Sequence, residues 1–194
     1  MTQETCEQCA RPTAAYDAIH YGSAETGYRL LCTQRFNAEV ARRYGMTDLE
    51  NVRLEPIDMV DSAGDSHRFH FQLRLLGQDM IVLDAFELRD DVRAGYEFRT
   101  MGEPDDDVLT LLGRLVEKMR RALSVRFLDA ENHRLRISDQ TVQGRISSDM
   151  SGFGNIPVVV VDGKEIGWDD FGRMLMAFEG WQFRLDIADP ADEL

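Results

Sequence analysis

Apolar and polar positions change period several times along the chain, and each change marks an element. Residues 16–21 are apolar and aromatic, residues 22–27 carry turn formers, and Tyr28 to Leu31 return as a second short strand. Phe36, Val40 and Tyr44 then recur every fourth position, which predicts a helix, and Gly45 stands where a left-handed cap would end it. The stretch from Met46 to Pro56 is a connector. From Ile57 the pattern becomes β. Phe69, Phe71, Leu73 and Leu75 alternate with His70, Gln72 and Arg74, the period of a half-buried strand. Gly77-Gln78-Asp79 is a turn, and Met80 to Leu88, apolar on both sides at first, reads as a central strand. Tyr96 to Gly102 supplies another short one.

The clearest helix follows. Val108, Leu111, Leu112, Leu115, Met119 and Ala122 form one apolar stripe, with Asp105–Asp107 at its start and Arg120 and Arg121 at its end. That polarity complements the helix dipole, so the aspartates read as a capping run rather than a metal site. The last third predicts strands at Leu135–Ile137, Thr141–Ser147 and Ile156–Val161, and a helix over Trp168–Glu179. A final strand is predicted where Trp181, Phe183, Leu185 and Ile187 alternate with Gln182, Arg184 and Asp186. The fold class is therefore α+β. A small N-terminal module, residues 1–48, precedes a mostly antiparallel sheet with two packed helices over residues 52–194, with a possible subdivision near 129.

Composition narrows this picture. The 194 residues, 43% hydrophobic, suffice for one ordinary core and a small appended module. No apolar run approaches the roughly 20 residues of a membrane span, and the polar, acidic start is not a secretory signal, so no membrane association and a cytoplasmic location are expected. The formal charge is −13, and residues 51–194 carry 28 acidic side chains against 17 basic ones. A field of that sign repels phosphate backbones, which argues against nucleic acid, and would steer a basic protein partner inward. Only Lys118 and Lys164 are lysines, a bias that resembles a high-GC bacterial genome.

Three cysteines carry the one specific chemical signal. Cys6-Glu7-Gln8-Cys9 is a knuckle, and Cys32-Thr33-Gln34 begins a second one, but Arg35 stands where a fourth cysteine would complete it. Four thiolates at that spacing would demand zinc; three leave the question open. Cys6, Cys9 and Cys32 can supply three ligands, with His20 or water as the fourth. A guanidinium does not ligate, although Arg35 could offset the negative charge of three thiolates from outside the ligand set. The readings are a structural zinc, a zinc with an open catalytic position, or cysteines that pack as small hydrophobes. Knuckle, hairpin, knuckle, helix is the order of a treble-clef or zinc-ribbon module, and a unit this small needs a metal or a neighbour for stability.

The two ends of the chain also resemble a known group. Cys6-x-x-Cys9 with Leu31-Cys32-Thr33-Gln34-Arg35-Phe36-Asn37, together with Val161-Asp162-Gly163-Lys164, Trp168-Asp169-Asp170-Phe171-Gly172-Arg173 and Phe178-Glu179-Gly180-Trp181-Gln182-Phe183, resembles an uncharacterised family of bacterial proteins. In that group the second knuckle reads Leu-Cys-x-x-Cys-(Phe/Tyr)-Asn, and this chain departs from it at Arg35. The resemblance implies a zinc-ribbon-like N-terminal module and no activity.

Other candidates read as structural. His67 and His70, three apart on a strand, point to opposite faces and do not share a metal. His133 has no evident partner. Gly152-Phe153-Gly154-Asn155 precedes a strand rather than a helix, so it is a turn and not a phosphate cradle. Trp168, Phe171, Phe178, Trp181 and Phe183 either close the core between the last helix and last strand, the reading preferred here, or form an interface hot spot. With no catalytic constellation legible, the expected function is a non-enzymatic protein-interaction or regulatory protein. The alternative is a metal-dependent hydrolase using the incomplete cysteine site. Nucleic-acid binding through Arg29, Arg35, Arg42 and Arg43 is a third reading.

Overall fold

A computed structural model describes residues 4–25, 27–131, 134–148 and 156–191. The chain is mixed α+β, with three α-helices and strands distributed over five antiparallel sheets among the described residues. The N-terminal segment begins with a minimal hairpin, β1 (Glu4–Thr5) with β2 (Pro12–Thr13). A longer hairpin follows, β3 (Ala18–Ser23) with β4 (Gly27–Cys32), and leads directly into helix α1 (Thr33–Tyr44). Gly45 closes α1 at φ 68°, the left-handed cap that its position predicted.

Next comes a four-stranded sheet in the order β5 (Ile57–Val60), β6 (Ser66–Leu76), β7 (Met80–Arg89), β8 (Val92–Gly102). β7 is central, as its apolar run implied. β8 starts four residues before the expected point, and a bulge between Phe86 and Glu87 absorbs the change of register. Side chains sort by period two. Phe69, Leu73, Ile81, Leu83 and Ala85 face α2 (Val108–Leu123), whose Val108, Leu111, Leu115, Met119 and Leu123 complete the main core. The N-cap of α2 is Asp107, whose carboxylate accepts from the Thr110 amide at 2.8 Å.

The opposite sheet face is polar. Asp84, fully buried in the apolar run of β7, accepts from Arg74 Nη2 at 2.6 Å and from Arg99 Nε at 2.7 Å. Arg93 lies 3.6 Å from the same carboxylate and stacks on Phe86, 3.8 Å from the ring centroid. Three partly exposed guanidiniums thus compensate one buried charge, which is why the strand tolerates it.

The N-terminal segment is stitched to this sheet by side-chain amides. β5 pairs with β6 only as far as Phe69, so beyond it the edge of β6 is bare. Asn37 of α1 fills the gap: its Nδ2 donates to the Leu73 carbonyl at 2.7 Å, and its Oδ1 accepts from the Leu75 amide at 2.9 Å. One amide therefore imitates a neighbouring strand. Gln72 completes the seam by donating to the Tyr16 carbonyl and to Thr33 Oγ1.

The C-terminal part holds the hairpin β9 (Leu128–Glu131) with β10 (Arg134–Ile137), and a second sheet ordered β11 (Arg145–Ser148), β12 (Pro157–Val161), β13 (Lys164–Gly167). Helix α3 (Trp168–Leu175) runs into a 3-10 turn, Met176–Phe178. Leu128, Val159, Val161 and Ile166 form a separate small core, against which Phe171 and Met174 pack. The two C-terminal helices expected on one sheet thus pack on different sheets. β13 was not expected, because Lys164 to Gly167 is too short and mixed to show a period.

One expectation is overturned outright. Residues 181–187 join no strand among the described residues, and Trp181, Phe183, Leu185 and Ile187 are 61–91% exposed. Alternation marks a segment able to be a strand; a ladder also needs a paired edge, and among the described residues none pairs with this segment. His133 and the glycine stretch at 152–155 lie outside the described residues. No described helix is long and apolar enough to cross a membrane.

Candidate functional site

The cysteine cluster is built by two turns that face each other. In the first, Ala10 donates to the Cys6 carbonyl at 2.8 Å and the Cys6 amide donates to the Arg11 carbonyl at 3.0 Å, with Ala10 in the left-handed region at φ 56°. This knuckle docks on β4. The Glu7 amide donates to the Leu30 carbonyl, and the Leu30 amide donates back to Glu7 Oε1, both at 2.9 Å. In the second turn, Cys32 ends β4 and is the N-cap residue of α1.

The result brings Cys6, Cys9 and Cys32 together, their sulfurs all within 4.8 Å of one another and none in a disulfide. Tetrahedral zinc with Zn–S near 2.3 Å places its sulfurs about 3.8 Å apart, so the spacing accommodates a metal ion after small adjustments. Electrostatics points the same way at Cys6. Burial opposes its thiolate, but the amides of Cys32, Cys9 and Gln8, with the Cys9 side chain, outweigh it and bring the pKa to about 7. At Cys32 burial dominates and raises the pKa to about 11, against the favourable hydrogen bond from the Arg35 amide and helped upward by the neighbouring sulfurs. A metal would overcome that repulsion by replacing the protons of the three thiols with a divalent charge.

His20 stands outside the cluster. It pairs with Leu30 on β3, whereas Cys32 pairs with Ala18. The imidazole is one step of about 7 Å further along the strand and is exposed to solvent. The described residues therefore bring together three of the four expected ligands.

Arg35 contributes its amide to Cys32, while its guanidinium makes no ion pair or hydrogen bond among the described residues. The other arginines of the nucleic-acid reading are engaged. Arg29 and Arg42 both bind Glu39, and Arg43 bonds Tyr21.

Two further groupings escaped the sequence. His67 is held between carboxylates, with Nδ1 2.9 Å from Glu87 and Nε2 3.3 Å from Asp61. Burial works against its charge, but these acids prevail and raise its pKa. Tyr96 packs edge-on against the ring at 5.2 Å, and burial with Asp162, Asp61 and Glu87 raises the tyrosine pKa strongly. Nothing in the spacing of 61, 67 and 87 could have signalled this, since β5–β6 and β7 bring them together only on folding. The Asp84 network did leave a trace: a lone carboxylate inside an apolar run needs counter-charges from neighbouring strands.

Three stretches of the chain are similar to domains of unknown function: residues 5–47 to DUF7685, residues 50–124 to DUF7686 and residues 127–192 to DUF7713. No curated protein and no solved structure matches the chain. Taken with the three clustered cysteines, these matches are consistent with an uncharacterised family and assign no activity.

Proposed function

We propose that this is a non-enzymatic protein-interaction or regulatory protein whose partner adds a sheet edge to residues 181–187. The observation that carries the proposal is the exposure of Trp181, Phe183, Leu185 and Ile187, at alternate positions of a segment with no strand partner among the described residues. Beyond the Trp181 amide, such a segment offers backbone amides and carbonyls outside any ladder among the described residues, with alternate apolar anchors, the chemistry of β-augmentation. It is tethered at both ends, by the Trp181 amide to the Phe178 carbonyl at 2.9 Å and by Lys118 Nζ to the Pro190 carbonyl at 2.8 Å. Tethering lowers the ordering cost of docking. Trp168, 49% exposed, and Phe171 with Phe178 extend the apolar surface. The net charge of −13 favours a basic protein as the occupant.

In this proposal the N-terminal module is a treble-clef-like element stabilised by structural zinc on Cys6, Cys9 and Cys32. Its support is the order knuckle, hairpin, helix with sulfurs in both turns. The division into residues 1–48 and 52–194, with a further break near 129, belongs to the same proposal, and limited proteolysis tests it. A photo-crosslinking residue placed in turn at positions 181–187 in living cells tests the docking mode. Strand addition requires crosslinks to one protein at every second position; an aperiodic pattern or none refutes it. The second reading, a metal-dependent hydrolase, draws on the fact that the described residues supply only three ligands. Metal analysis of the Cys32→Ser variant separates the two: loss of metal with unfolding of the module supports the structural role, and a folded variant that retains a metal with exchangeable water supports the hydrolase.

A further inference from the structure

Arg35, whose guanidinium is unpaired, lines a groove of about 490 Å³ between the N-terminal segment, the connector after α1 and the edge of β6. That volume lies within the range of about 300–1,000 Å³ typical of small-molecule sites. Arg11 from the first knuckle, Arg35 from the first turn of α1 and Arg53 from the connector after α1 all line it. Among the described residues, Arg11, Arg35, Arg53, Arg114 and Arg134 are the arginines whose guanidinium makes no hydrogen bond, ion pair or ring contact. Three of these five therefore share one groove. The chain has 35 acidic side chains for 22 basic ones, yet these three arginines of one groove have no carboxylate partner.

The lining holds two carboxylates, Asp17 and Glu55, against the three guanidiniums, and neither forms an ion pair with them. The first amides of α1 do not supply the attraction either, because Thr33 donates to Asp17 and Arg35 to Cys32. The guanidiniums carry it. Tyr16, its ring 5.5 Å from that of His70, gives the groove an aromatic wall for an organic body.

We propose that this groove binds a small organic oxyanion, a carboxylate or a phosphate, through Arg11, Arg35 and Arg53. Planar guanidiniums bind either group with paired, charge-assisted hydrogen bonds. Arg35 thereby has a function of its own at the position where a fourth cysteine would stand, independent of what docks on residues 181–187; because Cys9 and Cys32 line the same groove, metal content is followed in the test.

Calorimetric titration of the full-length chain with inorganic phosphate and, separately, with citrate tests this at constant ionic strength. The two arms distinguish a phosphate from a carboxylate preference. Saturable binding of at least one anion is expected, weakened about tenfold or more in R35Q/R53Q and unchanged in R114Q, an unpaired arginine outside the groove. Circular dichroism and metal content are measured in parallel; should the double variant misfold or lose metal, R11Q and R53Q singly take its place. Absence of saturation with both anions, or equal weakening by R114Q, overturns the proposal.

Discussion

Asn37 is the residue on which attachment of the N-terminal segment turns, and its replacement by leucine isolates that role. Leucine has the branched shape of asparagine, though it is larger, and neither donates nor accepts. Asn37 is 1% exposed, and the two groups it serves, the Leu73 carbonyl and the Leu75 amide, belong to residues 4% and 0% exposed. Among the described residues, neither has another partner at the bare edge of β6. A buried backbone group left unpaired costs about 1–3 kcal/mol, so two cost about 2–6 kcal/mol. The lost contact with Asn51 Oδ1, at 3.2 Å, adds little because that group is only partly buried. At about 2–4 °C per kcal/mol for a chain of this size, the melting temperature should fall by roughly 4–24 °C. Urea unfolding followed by circular dichroism gives the free energy, and hydrogen exchange gives the location. The Leu75 amide should lose protection in Asn37→Leu while the α2 amides Leu115 and Met119 keep theirs. Asn37→Asp, which retains the acceptor for Leu75, should protect that amide better than leucine does. Stability within about 0.5 kcal/mol of the parent, or an unchanged Leu75 exchange rate, would refute the reasoning.

Four other outcomes follow from the geometry. Asp84→Asn strips the counter-charge from Arg74, Arg93 and Arg99 and should cost about 3 kcal/mol in urea unfolding, the low end for a broken buried pair because the arginines reach water. His67 has a raised pKa in the fold, so its stabilisation is complete below its unfolded pKa of about 6.5 and is lost as pH rises through the higher folded value; thermal melts across that window should show the loss, and His67→Gln should flatten it. Its partner Asp61 has a lowered pKa, from burial outweighed by the Asp65 and Ala63 amides and His67, and contributes stability that disappears only as pH falls through the acidic range. Chelator treatment should destabilise residues 4–47 selectively in hydrogen exchange, and Cys32→Ser should abolish both the metal content and the chelator effect. Phe183→Asp, at a side chain 91% exposed, should leave the melting temperature unchanged while removing the crosslinks at 181–187; a large loss of stability would mean that the segment is structural.

Much of the architecture was legible from local order. The helix α1 with its Gly45 cap, the alternating strand β6, the central apolar run of β7 and the aspartate-capped α2 each rest on a period and a terminus within one stretch of chain. The cysteine spacing likewise pointed to a shared cluster, since both turns present sulfurs from short local motifs. His20 did not follow, because its distance from Cys32 depends on hairpin register rather than on sequence spacing. Residues 181–187 show the limit of periodicity most directly: the alternation is present, yet no partner edge receives it.

The sequence by itself determined the α+β class, most elements and the three sulfurs, because those depend on side-chain period, capping and turn chemistry within a few residues. Tertiary structure alone decided that Asn37 finishes a sheet edge, that Asp84 is buried among three arginines and that His67 lies between two acids. It also gathered Arg11, Arg35 and Arg53 into one groove. The physical reason is common to all four. Burial and charge compensation act between groups distant along the chain, and their strength depends on distances and solvent exclusion that exist only once the elements pack.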